Sequence, residues 1–198
     1  AELDERFYRD LEFGTGGMRG IMGAGTNRMN IYNIRKATTA LARYICEYFP
    51  EAKPRSLKVA ITFDSRNFSR EFAQATAQVL AAHGIVAFIT KELRPTPMLS
   101  FMVRHFGCKG GVCVTASHNP PNYNGYKVYW DTGGQLVPPH DAAVIARYLA
   151  ITDYEDLPSM NYDEAVAKEL IVEVGNDFDE IYFKKVEKIV IGGETRRE

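Results

Sequence analysis

The chain has 198 residues, with 24 Lys and Arg against 25 Asp and Glu and a formal net charge of -1. That length suits one sizeable α/β core, and the near-neutral charge removes any global electrostatic case for binding DNA or RNA. No apolar run reaches membrane-spanning length and no leader-like segment opens the chain, so a cytoplasmic protein with no membrane or nucleic-acid partner is expected.

Leu3, Phe7 and Leu11 recur at roughly helical spacing, which predicts a short amphipathic helix within residues 1–13. Six glycines between Gly14 and Gly25 interrupt it and favour a folded loop or bent hairpin. Asn30–Phe49 reads as a helix with Ile34, Thr38, Leu41 and Ile45 facing inward, ended by Pro50 and Pro54. Leu57–Phe63 reads as a strand. Asp64-Ser65-Arg66-Asn67 then reads as a polar loop capping a helix over Phe68–His83, whose inner face carries Phe72, Ala75, Val79 and Leu80. A strand at Ile85–Ile89, a helix at Pro95–Phe106 and a strand at Gly111–Val114 follow. Tyr126–Trp130 reads as an extended edge, turned away by Asp131-Thr132-Gly133-Gly134. A helix at Pro138–Leu149, an acidic irregular stretch at 151–163 and a helix at Asp177–Ile189 complete the pattern. Helices alternating with short apolar strands predict an α/β fold, a three-layer α/β/α domain with a mixed, mostly parallel sheet. Cys46, Cys108 and Cys113 lie in apolar segments without a CxxC pair, as reduced interior residues of an intracellular protein would.

The chemistry-bearing segment is Thr115-Ala116-Ser117-His118-Asn119-Pro120, which places a hydroxyl beside an imidazole just after the apolar run Val112-Cys113-Val114. A loop at a strand end is where a rigid sheet can hold reactive groups; the plain alternative is a Ser-Asn-Pro turn. Two glycine-bearing segments, Gly14-Thr15-Gly16-Gly17-Met18-Arg19-Gly20 and Asn124-Gly125-Tyr126-Lys127, add backbone freedom and two cations. Together the three look like parts of a phosphate site, although none is the GxxxxGK(S/T) phosphate loop. Arg19 and Lys127 either neutralise phosphate or are ordinary solvent-facing charges, and Thr15 either contacts the site or fixes the glycine-rich loop. For Asp64 and Arg66 a loop-stabilising ion pair or helix cap is favoured over direct chemistry. Asp131, Glu155 and Asp156 read as solvated acids rather than metal ligands.

In this order, Glu12-Phe13-Gly14-Thr15-Gly16-Gly17-Met18-Arg19-Gly20, Thr115 to Pro120 and Asn124 to Lys127 resemble the active-site loops of the α-D-phosphohexomutase superfamily. The branch they resemble is that of phosphoglucomutase and phosphomannomutase, with its phosphopentomutase-like members. The resemblance implies that Ser117 carries a phosphoryl group, donates it to a phosphosugar through a bisphosphorylated intermediate, and recovers it from another position. It implies His118, Lys127 and Arg19 as catalytic partners and Thr15 and Asn119 as phosphate-binding residues. It also implies Mg²⁺, with Ser117 supplying one ligand, and a sugar bisphosphate activator. Residues 1–175 then correspond to the family's N-terminal domain, and 176–198 to a helix and passage toward a second domain. The metal loop, the sugar-recognition loop and the substrate-phosphate domain are not found in the sequence, and Ala1 in place of methionine fits an excised or processed chain. The isolated segment is expected to be inactive. Two other classes stay open: a noncatalytic phosphate-binding or regulatory module of the same fold, and a purely structural assembly domain.

Overall fold

A computed structural model describes residues 2–155 and 157–189; Ala1, Asp156 and the end of the expected passage, 190–198, lie outside the described residues. In chain order the elements are α1 (Glu2–Phe7), β1 (Phe13–Gly14), β2 (Gly17–Ile21), α2 (Ile31–Tyr48), β3 (Lys58–Phe63), α3 (Ser69–Ala82) and β4 (Val86–Thr90). They continue with α4 (Thr96–His105), β5 (Gly110–Val114), β6 (Tyr123–Trp130), α5 (His140–Ala150), α6 (Tyr162–Ala167), β7 (Ile171–Val174) and α7 (Asn176–Glu187).

The strands form one sheet in the order β1-β2-β6-β5-β3-β4-β7. β5, β3, β4 and β7 pair in parallel, whereas β6 runs antiparallel to β5 and β2, and β1 antiparallel to β2. The expected three-layer α/β/α domain with a mixed sheet is therefore present. Period-two alternation along the strands feeds two cores. Val59, Ile61, Phe63, Val112, Val114, Tyr126 and Val128 turn to the face covered by α2, α3 and α5. Ala60 and Cys113 turn to the opposite face, where Met98, Leu99, Met102 and Val103 of α4 meet Phe178 of α7.

Helix α2 starts where Asn30 accepts from the Tyr32 and Asn33 backbone amides, both at 3.1 Å, a cap of the kind that contributes about 1 kcal/mol. The Asn30 side-chain amide also donates to the Gly23 and Gly25 carbonyls, tying the end of the glycine-rich segment to the helix. Ile34, Thr38, Leu41 and Ile45 are fully buried, as their spacing predicts. Tyr126 crosses the core to meet the Thr38 hydroxyl at 2.9 Å, and burial pushes its phenol well above the ordinary tyrosine range.

Four expectations need correction. The first helix ends at Phe7, leaving Leu3 and Phe7 exposed; the chain then extends so that Leu11 and Phe13 enter the core, where Tyr148 donates to the Leu11 carbonyl. Tyr126–Trp130 is not an edge strand: it belongs to β6, covered on its outer side by the glycine hairpin β1–β2. Helix α3 is not capped by the Asp64–Asn67 loop in the usual way. Phe68 occupies the cap position at φ 62° without a side-chain bond, and Asp64 instead accepts from the Ser69 hydroxyl. Last, α6 and β7 went unassigned in the sequence, although Leu170-Ile171-Val172 is an apolar run. The cysteines are free, as expected; Cys108 and Cys113 are buried, and burial pushes the Cys108 thiol up to about 12. Cys46 is only half-buried. Among the described residues no helix is long and apolar enough to cross a membrane.

Candidate active site

The Ser117 loop leaves the C-terminal end of β5. Thr115 is still on the ladder, its amide donating to the Gly125 carbonyl at 3.0 Å. A Cβ at position 125 would stand 2.6 Å from the Thr115 carbonyl oxygen, so this approach of the two strands requires glycine. Beyond it the chain turns sharply: the Ser117 amide donates to the Thr115 hydroxyl at 2.9 Å, and the Asn119 amide to the Ala116 carbonyl at 3.2 Å. Ser117 sits at φ 57°, the left-handed region, which costs a non-glycine residue on the order of 1 kcal/mol. The turn lifts the serine into solvent, with its Oγ 3.3 Å from His118 Nδ1.

Arg66 holds this loop from below. Its Nη1 donates to the Pro120 and Tyr123 carbonyls at 3.0 and 3.2 Å, and its Nη2 to the Ser117 and Asn119 carbonyls at 2.6 and 2.7 Å. Its Nε faces Asp64 Oδ2 at 3.4 Å. Asp64 Oδ1 accepts from the Arg66 amide at 3.0 Å and from Ser69 Oγ at 2.7 Å, and Asn124 Nδ2 in turn donates to Ser69 Oγ at 3.0 Å. The ion pair expected between Asp64 and Arg66 is thus one part of a larger bracket that joins β3, α3 and β6 to the loop. The sequence undervalued Arg66 because nothing local says that β3 and β5 are parallel neighbours. Their pairing brings both C-terminal loops to one edge of the sheet, where α/β folds place their sites.

The other candidates come from the opposite side. Arg19, on β2, donates through Nη1 to Asn119 Oδ1 at 3.0 Å, bridging the glycine hairpin and the serine loop across a hundred residues of sequence. Lys127, on β6, lies in register between Gly17 and Cys113. Thr15, Arg19 and Lys127 line one cleft of about 340 Å³ together with Glu12, Thr115 and Gln135. Ser117 and Asn119 line an adjoining cleft of about 340 Å³ with Asp64, Ser65 and Arg66. The Arg19–Asn119 bond marks the boundary between them. Within this lining, the Thr15 hydroxyl donates to Asp141 Oδ2 at 3.1 Å and so pins the hairpin turn to α5. Asp141 and Gln135 were not singled out in the sequence; both follow β6 and carry no motif. A larger cavity of about 490 Å³, lined by Phe7, Tyr32 and Tyr154 among others, lies away from this chemistry and has no ionisable group besides those two tyrosines.

The described residues do not by themselves bring together a Mg²⁺ ligand set. Among the described residues no group of three or more His, Cys, Asp or Glu could hold a metal ion. The carboxylate nearest Ser117 in its cleft, Asp64, already has both oxygens facing Arg66 and Ser69. Asp131 and Glu155 join no such group; Asp156 lies outside the described residues.

A family model described as phosphoglucomutase/phosphomannomutase, alpha/beta/alpha domain I, matches residues 10–155, which include the glycine hairpin, the Ser117 loop and Lys127. The chain belongs to the phosphoglucomutase/phosphomannomutase family. Phosphoglucomutase of Staphylococcus saprophyticus is 37% identical over 189 residues, covering 96% of this chain and 33% of that protein. Phosphopentomutase of Mus musculus is 40% identical over 149 residues, covering 72% of this chain and 24% of that protein. Among solved structures, a Thermus thermophilus protein described as a phosphomannomutase superposes with a TM-score of 0.74 at 27% identity, over 92% of this chain and 36% of that one. This phosphoglucomutase/phosphomannomutase domain therefore spans a quarter to a third of the length of the curated relatives it matches.

Proposed function

We propose that these residues are the first domain of a phosphosugar mutase, which moves phosphate between positions of an α-phosphosugar through a phosphoserine and a bisphosphorylated sugar. The observation that carries this reading is the presentation of Ser117. An exposed serine is held in a left-handed turn at a strand end, with an arginine from a separate hairpin anchored to the same loop. A serine that must be phosphorylated and dephosphorylated in every cycle needs such an accessible, fixed position.

In the forward half-reaction a sugar hydroxyl oxygen bonds to the phosphorus of phospho-Ser117 as the Oγ–P bond breaks. The hydroxyl proton is released and Oγ ends as a protonated hydroxyl. After the bisphosphorylated sugar reorients, Oγ bonds to the phosphorus of the other phosphate as the bond from that phosphorus to the sugar oxygen breaks, and the Ser117 hydroxyl proton ends on the freed sugar oxygen. The work of the protein is to align donor and acceptor and to balance charge on the transferring group. Lys127 and Arg19 supply positive charge, His118 orients the Ser117 oxygen, and Asn119 carries the Arg19 guanidinium at the loop. Thr15 acts through the hairpin turn that it pins to Asp141. A phosphate oxygen of phospho-Ser117 would supply one Mg²⁺ ligand, the others would come from beyond these residues, and the metal would offset phosphate charge. A sugar bisphosphate would recharge Ser117. Relatives named phosphoglucomutase and phosphopentomutase support hexose and pentose phosphates as the substrate classes.

The test is the intact mass, with fragmentation, of the longer enzyme that carries this domain after incubation with a glucose bisphosphate and Mg²⁺. One phosphate on Ser117 is expected, with Ser117→Ala folded, unlabelled and without turnover. Absence of the label from a folded, Mg²⁺-binding protein favours the noncatalytic phosphate-binding module.

A further inference from the structure

We infer that Arg66 is a positioning residue that sets the backbone of Ser117 for phosphoryl transfer; the catalytic half of this inference rests on the function proposed above. The four η hydrogens of the guanidinium face four carbonyl oxygens, those of Ser117, Asn119, Pro120 and Tyr123, and Nε is buried 3.4 Å from Asp64 Oδ2, an ion-pair contact without a hydrogen bond. The four η donors are thus engaged and the fifth, Nε–H, is buried, so none is presented to a ligand. Arg66 therefore acts on the loop rather than on phosphate, although it lines the same cleft as Ser117. Carbonyl dipoles that converge on one point repel one another unless a cation sits among them, and here they converge under a residue whose φ of 57° is itself unfavourable. The guanidinium offsets both. Its own place is fixed by Asp64, which Ser69 holds, and Ser69 is in turn held by Asn124 of β6. The bracket thus connects the serine turn to the strand that carries Lys127. A lysine ammonium has three donors around one point and cannot reproduce a planar fork spanning four carbonyls.

The test has two arms. In the 198-residue chain, the ¹³Cα and ¹³Cβ chemical shifts of Ser117 report its backbone conformation. In Arg66→Lys and Arg66→Gln they are expected to leave the left-handed values, while shifts in β3 and β4 stay in place. In the longer enzyme, a loop displaced by roughly 1 Å lowers kcat on the order of 100-fold. KM is expected to hold, because Arg66 offers no donor to the substrate. Ser117 shifts unchanged in a folded variant, or a raised KM with kcat preserved, would overturn the inference. Should Arg66→Gln not fold, Arg66→Lys keeps the charge and is read in the same way. The two proposals fail separately: a wild-type enzyme that never labels at Ser117 sinks the mutase reading before any variant is made, whereas the chemical-shift arm needs no turnover.

Discussion

Lys127 and Arg19 both carry positive charge toward the serine loop, but they are held differently, and their loss should differ accordingly. Lys127 projects from the middle of a two-sided ladder, so Lys127→Ala removes charge while the strand stays in place. Arg19 is also one half of the Arg19–Asn119 bridge, so Arg19→Ala removes charge and frees the loop at once. Loss of one preorganised donor costs on the order of 100-fold to 1000-fold in kcat. Lys127→Ala is expected within that range and Arg19→Ala at or beyond it, and steady-state kinetics of both variants beside Arg19→Lys check this. Rates equal to wild type in either alanine variant would remove that residue from the mechanism. At this scale the sequence pointed to the candidate groups but not to how they are held. Ser117, Arg19 and Lys127 stand in recognisable runs, whereas Arg66 acts on main-chain carbonyls from the loop after a strand whose neighbour no local pattern names. Thr15 shows the converse: its motif points to phosphate, and its hydroxyl is engaged by Asp141, a residue without a motif.

The glycine hairpin β1–β2 is the element that completes the site. It was legible as a bent, glycine-rich segment, but its partner was not, because a strand reads as an edge until something covers it. Gly17 shows why the hairpin needs glycine at its seat: φ is 135°, and a Cβ there would fall 1.9 Å from the Tyr126 carbonyl oxygen. That atom is backbone inside a ladder and cannot give way. Gly17→Ala is therefore expected to destabilise the domain by about 3 kcal/mol, and to lift the hairpin off β6 before the rest of the sheet responds. Equilibrium urea unfolding measures the first and amide hydrogen exchange at Met18 to Ile21 the second. An alanine variant with wild-type stability and protection would show that the close approach is not required. The helices were more legible than the hairpin partner because a 3.6-residue apolar stripe is a property of one segment, whereas sheet order is a relation between segments.

Across the whole molecule, α7 closes the second core. Phe178 is buried among Phe101, Phe106 and His105, and Asp179 receives Arg94 from the loop before α4 at 2.8 and 2.5 Å. Phe178→Ala should cost about 3 kcal/mol, since a buried aromatic ring is lost and the helix has little else in the core. Thermal unfolding measures the cost, with hydrogen exchange expected to rise along α7 and to stay unchanged in the Ser117 loop at the far edge of the parallel strands. Equal loss of protection at both places would mean that the two cores do not respond separately. The strand order has a further consequence, in time rather than in space. β2 pairs only with β1 and β6, and β6 is completed at Trp130, more than a hundred residues later. At synthesis rates of about 5–20 residues per second, the newly made hairpin waits roughly 5–20 s for its neighbour to emerge. Throughout that interval its unpaired edge is open on a nascent chain, and a hairpin made well before its partner strand is among the last elements to find its place.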